Sequence, residues 1–258
     1  LSRKGCDKVK PEDDSDSLKK EGAPWGFWTT TGFSLVIGGT FFGVQALVLG
    51  VFAGIALSSN PDLAVAAIVS DLRSNGFFLA VATCVSSPVC IALTILFVRM
   101  KRGWSVREYL ALRRIERAVL LKWLGFALLL AAFSDVLTVL MGREIVPDFV
   151  ARAYETASFL PLLWIALVVA APAFEEVFFR GFLFQGLQRS WAGPIGAVIL
   201  TSIIFGIIHF QYDAYGMATA SAIGLLLGTA RLKTASIYPA VVMHSMINFI
   251  AVVEAAVL

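Results

Sequence analysis

LPLLWIALVVAAPAFEEVFFRG, residues 160–181, decides the fold. From Leu160 to Phe174 no residue carries a charge, and the run is long enough to enter a membrane as a helix. Glu175, Glu176 and Arg180 then follow within the same apolar context. A charged side chain at the centre of a bilayer costs about 2.5–3.5 kcal/mol on insertion scales, so these three need partners or a water-filled cavity. Glu176 and Arg180 are spaced i, i+4 on one helix face and can neutralise each other. Glu175 projects about 100° away from Glu176 and needs something else.

Composition extends this reading to the whole chain. Of 258 residues, 58% are hydrophobic and only 15% charged, and the mean hydropathy is +0.81, which excludes an ordinary soluble domain. The fold expected is all-α: a polytopic transmembrane bundle of about seven to eight spans around an intramembrane cavity. Candidate spans are 31–57, 76–99, 119–141, 157–179 (continuing as helix toward 189), 194–210, 214–231 and 236–253. Residues 1–24 are polar with nearly balanced charge and read as a disordered cytoplasmic tail. Residues 25–258 form a single membrane domain. The chain starts at Leu1, and its opening residues lack the apolar run of a cleavable leader. The segment Lys101–Arg117, with Trp, Tyr and Leu among many basic residues, reads as an interfacial amphipathic helix.

Charge fixes an orientation. With the tail taken as cytoplasmic, eighteen Lys and Arg fall on its side and three, Arg73, Arg143 and Arg152, on the other. This is the pattern of a bacterial inner-membrane protein. The net charge of +3 needs no nucleic acid or other acidic partner; the bilayer is the partner it implies. Cys6, Cys84 and Cys90 lack the spacing of a thiolate metal site or a disulfide framework.

The two histidines, His209 and His244, both lie in later apolar spans. SWAGP, residues 190–194, is a turn signal. If it closes an antiparallel hairpin, Glu175 and His209, each seventeen residues from Ala192, lie at matching depth and face each other. His244, with Asn248 at i+4, enters from the last span, and Phe205 shares a face with His209. A buried carboxylate, two imidazoles and an amide are the parts needed to activate water on a carbonyl: glutamate as base, the others to hold the water or an oxyanion. Glu175, His209 and His244 also have the donor types of an open zinc site, so zinc stays an alternative at this stage.

EEVFFR at 175–180, FGIIH at 205–209 and HSMIN at 244–248 resemble, in order and spacing, the EExxxR, FxxxH and HxxxN motifs of the CPBP (CAAX protease and bacteriocin-processing, or ABI) family. The resemblance covers about 157–253. It implies a type II CAAX prenyl protease-like intramembrane endopeptidase with a conical cavity, acting on hydrophobic, membrane-embedded or prenylated peptides and proteins. In that reading Glu175 is the water-activating base, assisted by His209. His244 and Asn248 bind the oxyanion, and Glu176, Arg180 and Phe205 support the geometry. The alternatives are a family member that is inactive and serves as an immunity or scaffold protein, or a small proton-coupled transporter relaying through Glu175 and Asp135.

Other features have plainer expectations. Gly216, Ala220, Gly224 and Gly228 suit close helix packing. Phe178, Phe179, Phe182 and Phe184 suit the core, lipid contact or a groove wall. Asp135 suits a bond to a neighbouring helix, with a role near the cavity as the alternative, and Tyr212 and Tyr215 suit an interfacial belt.

Overall fold

The computed structural model describes residues 22–62 and 64–258, and every regular element among them is helical. The first twenty-one residues of the expected tail lie outside the described residues. The helices are α1 (Phe27–Ser59), α2 (Val65–Arg73), α3 (Gly76–Arg99), α4 (Val106–Tyr109) and α5 (Arg117–Leu140), followed by α6 (Asp148–Glu155), α7 (Leu160–Leu187), α8 (Gly193–Ile208), α9 (Ala214–Thr234) and α10 (Tyr238–Val257). All seven candidate spans are therefore helices. Five of them, α1, α3, α5, α7 and α10, are long and apolar enough to cross a membrane. The sixteen residues of α8 reach only about 24 Å, short of the ~30 Å of bilayer hydrocarbon. Its C-terminal end, at His209, therefore stops within the thickness of the bundle.

The two ends of the bundle differ. At one end Trp25 Nε1 donates to Phe97 O at 3.1 Å, Trp104 Nε1 donates to Gly22 O at 3.0 Å, and Lys101 Nζ sits 4.8 Å over the Trp25 ring. These are the contacts of an aromatic and basic interface. At the other end lie α2, α6 and the 209–213 turn.

The Lys101–Arg117 stretch corrects the sequence expectation. It is helical only over Val106–Tyr109, started by a Ser105–Glu108 capping box and ended at Ala111, whose φ is +53°. Instead of lying on a membrane surface, Tyr109, Leu110 and Ala111 are buried. Tyr109 stacks on Phe182 with centroids 5.9 Å apart, and Leu110 packs on Gly181, where an added Cβ would sit 3.1 Å from Leu110 Cδ2. The apolar residues interspersed among basic ones thus plug the back of α7. The same plug holds the start of α10, through Ile237 N to Ala111 O at 3.1 Å and Ser236 Oγ to Arg113 O at 2.6 Å.

Phe178, Phe179, Phe182 and Phe184 are all core residues. Small residues let α9 close onto α8: Gly224 meets Ser202 and Gly228 meets Val198. Gly216 belongs to another contact, against Tyr212. The tightest approach is on the α8 side, where a Cβ at Gly206 would lie 1.9 Å from Ser221 Oγ and 2.6 Å from Met217 O. The carbonyl cannot move without breaking α9. Gly206→Val should therefore destabilise the fold by at least the ~1–3 kcal/mol of an overpacked core. Thermal unfolding in detergent reads this directly, and a melting point unchanged from wild type would contradict the packing described.

Candidate active site

Two π-helical turns, Ala166–Ala170 and Val177–Leu183, flank the Glu175–Glu176 pair inside α7. Pro172 contributes to the first: it has no N–H to donate, and its ring crowds the carbonyl four residues back, so the preceding turn widens. Such widened turns displace backbone groups from the regular ladder and recur at functional sites. Here the Leu167 carbonyl accepts a hydrogen bond from Asn248 Nδ2 at 2.8 Å, which ties α10 to α7.

Glu176 and Arg180 are both fully buried. Arg180 Nη1 donates to Glu176 Oε1 at 2.9 Å, as the i, i+4 spacing requires. Arg180 Nη2 donates to Gly224 O at 3.1 Å, and its guanidinium carbon lies 4.7 Å from the Phe205 ring centroid. Glu176 Oε1 also accepts from His244 Nδ1 at 2.8 Å. Glu176 is therefore more than Arg180's counter-charge: it orients the histidine of the last helix.

That bond fixes a tautomer. An ionised carboxylate only accepts, so His244 Nδ1 carries a proton and Nε2 is the end left for chemistry. Nε2 lies 3.8 Å from Glu175 Oε2, too far for a direct hydrogen bond and close enough for a shared water. Glu175 Oε2 is buried and has no hydrogen-bond partner. His209 follows the same rule: its Nδ1 donates to Phe205 O at 2.7 Å, leaving Nε2 free.

The hairpin argument expected Glu175 opposite His209. The short contact of Glu175 is instead with His244, and among the described residues no hydrogen bond or ion pair joins Glu175 to His209. His209 reaches the group through Phe205, whose ring centroid is 4.6 Å from His209 and 5.6 Å from His244. Matching residue counts ignore the early end of α8 and the π turns in α7. Glu175, His209, His244 and Asn248 all line one cavity of about 2010 Å³. Among the described residues no three His, Cys, Asp or Glu side chains gather as a metal-ligand set. Glu175, His209 and His244, the residues of the zinc alternative, form no such set.

One family model, described as type II CAAX prenyl endopeptidase Rce1-like, matches residues 157–250. Over those residues the chain is similar to that family. No curated protein and no solved structure matches it. The matched region runs from the start of α7 into α10, and so contains all three motifs.

Several features of the matched region escaped the sequence reading. Arg231, one of the eighteen basic residues assigned to the tail side, is buried, as is Arg180, which that count also includes. Arg231 Nε donates to Arg180 O at 3.0 Å and its Nη2 to Gln185 Oε1 at 3.3 Å. Removing both from the charge count leaves the three arginines of the opposite end still heavily outnumbered. Tyr212, expected in an interfacial belt, stacks on His209 with centroids 6.0 Å apart and an 11° interplanar angle. Burial, and then the charge of Glu175, push its phenol up to about 12. Only the FxxxH-to-Tyr spacing of one turn could have signalled it. Tyr215 bonds Thr138 through their hydroxyls at 2.7 Å. Asp135, expected to bond a neighbouring helix, lines the cavity with Glu254.

The His209–Tyr212 turn is latched by the next residue. Asp213 caps α9, accepting from Gly216 N at 2.9 Å, and pairs with Arg143 from the α5–α6 connection. The Gly216 amide first, and Arg143 with it, hold the Asp213 carboxyl below its ordinary value. A depressed folded-state value means that the charged carboxylate stabilises the fold above the unfolded value, about pH 4, and that this is lost as pH falls further. Asparagine also caps helices, so Asp213→Asn removes the charge alone. Melting should be lower for the variant at pH 6, with the difference closing toward pH 3; a difference independent of pH would refute the latch's ionic character.

Proposed function

We propose that this chain is an intramembrane endopeptidase in which Glu175 activates water to cleave a membrane-associated or lipidated peptide, in the manner of a CAAX prenyl endopeptidase. The observation that carries the reading is Glu175 Oε2: a buried, unpartnered carboxylate oxygen facing His244 Nε2 across 3.8 Å in a membrane cavity, beside a second glutamate that is already neutralised. A water held between the two loses a proton to Glu175 as its oxygen adds to the scissile carbonyl carbon. The carbonyl π electrons move to oxygen. When the C–N bond breaks, the proton passes from Glu175 to the leaving amine.

The oxyanion needs donors. Asn248 has a second N–H beyond the one given to Leu167 O. With both Nδ1 positions committed, each imidazole has only its Nε2 edge left for the substrate. The protein resides in a bacterial inner membrane with a cytoplasmic N-terminus, on the charge asymmetry of its ends.

The test is purified protein in liposomes with transmembrane and prenylated peptides in water enriched in oxygen-18. One labelled oxygen should enter the new C-terminus at a defined bond, and His244→Ala and His209→Ala should each lower the rate. Peptides that remain intact with wild type, or cleavage untouched by both substitutions, would sink the proposal.

A further inference from the structure

The cavity is walled differently at the two ends of the bundle. At the Lys- and Arg-rich end α1 is clamped to the end of α7: the Phe27 and Trp191 rings lie 5.8 Å apart, and Thr30 sits so tightly on Gly186 that a Cβ there would be 2.1 Å from Thr30 Oγ1. The lining at this end, Phe27 and Leu187 among it, is apolar. At the opposite end the lining turns polar and charged, with Arg73, Arg143, Glu144, Asp148, Asp213 and Glu254. The His209–Tyr212 turn that follows the short α8 lines the cavity beside these residues.

The cavity also has an open flank. Helix α1 packs on α3 and the ends of α7, and α5 packs on α9 and α10. Leu35 and Phe42 of α1 and Phe133 and Leu137 of α5 face the space between them, all exposed and all lining the cavity. A lipid-side slot with apolar walls fits an apolar segment lying in the bilayer. The charged mouth fits the polar flank of that segment.

Charge gives both a side and a sign. The end carrying the mouth holds Arg73, Arg143 and Arg152, and the other end holds the bulk of the basic residues, so the mouth faces away from the cytoplasm. Within the mouth Arg143 is paired with Asp213, which leaves Arg73 against Glu144, Asp148 and Glu254. We infer that the site takes an apolar peptide segment presented from the non-cytoplasmic side, with a basic flank seated at this mouth. The inference rests on the endopeptidase reading for its chemistry, but its sidedness stands on geometry and charge alone. A substrate whose scissile bond is offered only from the cytoplasm meets the clamped end.

Two arms test it. In a Cys6→Ser, Cys84→Ser background, where the remaining Cys90 is buried, Glu144→Cys marks the mouth and Arg114→Cys the opposite face. In right-side-out vesicles a membrane-impermeant maleimide should label Glu144→Cys and leave Arg114→Cys unlabelled until detergent is added; the reverse pattern overturns the assignment of side. For the flank, two transmembrane peptides differing only in three Lys or three Glu after the apolar segment are compared in proteoliposomes. The Lys peptide should be cleaved about tenfold faster at low salt, with the ratio shrinking at high salt; equal rates overturn the basic-flank assignment. If neither peptide is cut while the labelling pattern holds, the peptidase reading fails and the sidedness stands.

Discussion

Glu175→Gln is expected to lower peptide hydrolysis by about 10²–10⁴-fold while leaving the protein folded and its substrate affinity near wild type. The amide is nearly isosteric with the carboxylate and cannot take a proton from water. Its neighbourhood explains why the loss should be catalytic. Glu175 Oε2 makes no hydrogen bond, so the fold loses no partner when it is replaced. Glu176→Gln should behave differently: Glu176 Oε1 accepts from both Arg180 and His244, so the change weakens positioning and stability together. Rates and melting points on the two variants separate the roles. A Glu175→Gln protein retaining full activity would remove the base from the mechanism.

Arg180→Met should be the most destabilising of the charge substitutions, by about 3–5 kcal/mol, because it strands a fully buried Glu176 carboxylate with only a histidine beside it. It also deprives the Gly224 carbonyl of its donor. The double variant Arg180→Met with Glu176→Gln leaves no uncompensated charge and should recover a large part of the loss. Unfolding followed by thiol labelling of buried Cys90 measures both. Equal melting of Arg180→Met and wild type would show that the buried pair is not what holds α7 to α9.

Much of the architecture was legible because the membrane makes sequence patterns coarse and strong. Apolar runs bounded by basic or turn residues marked the helices of all seven candidate spans, and the i, i+4 spacing of Glu176 and Arg180 gave their pairing. The Lys101–Arg117 stretch was not legible, since a segment with apolar residues among cations has the same pattern whether it lies on lipid or plugs a core. What decided it was Gly181, which leaves room for Leu110. Arg231 misled for a related reason: near the end of a helix a guanidinium counts as a surface charge unless a carbonyl such as that of Arg180 waits for it inside.

The sequence by itself determined that this chain is a helical membrane protein with two glutamates, two histidines and an asparagine placed where lipid or core should be, because composition and spacing are local and survive any packing. Only the tertiary structure decided who meets whom. It gave His244 to Glu176 and left Glu175 Oε2 without a hydrogen bond, set His209 against Phe205, and clamped α1 to the end of α7 at one end of the cavity. Those outcomes depend on where α8 stops, on the π turns in α7 and on glycine contacts between helices distant in sequence. They are sums over the whole bundle that no window of residues contains.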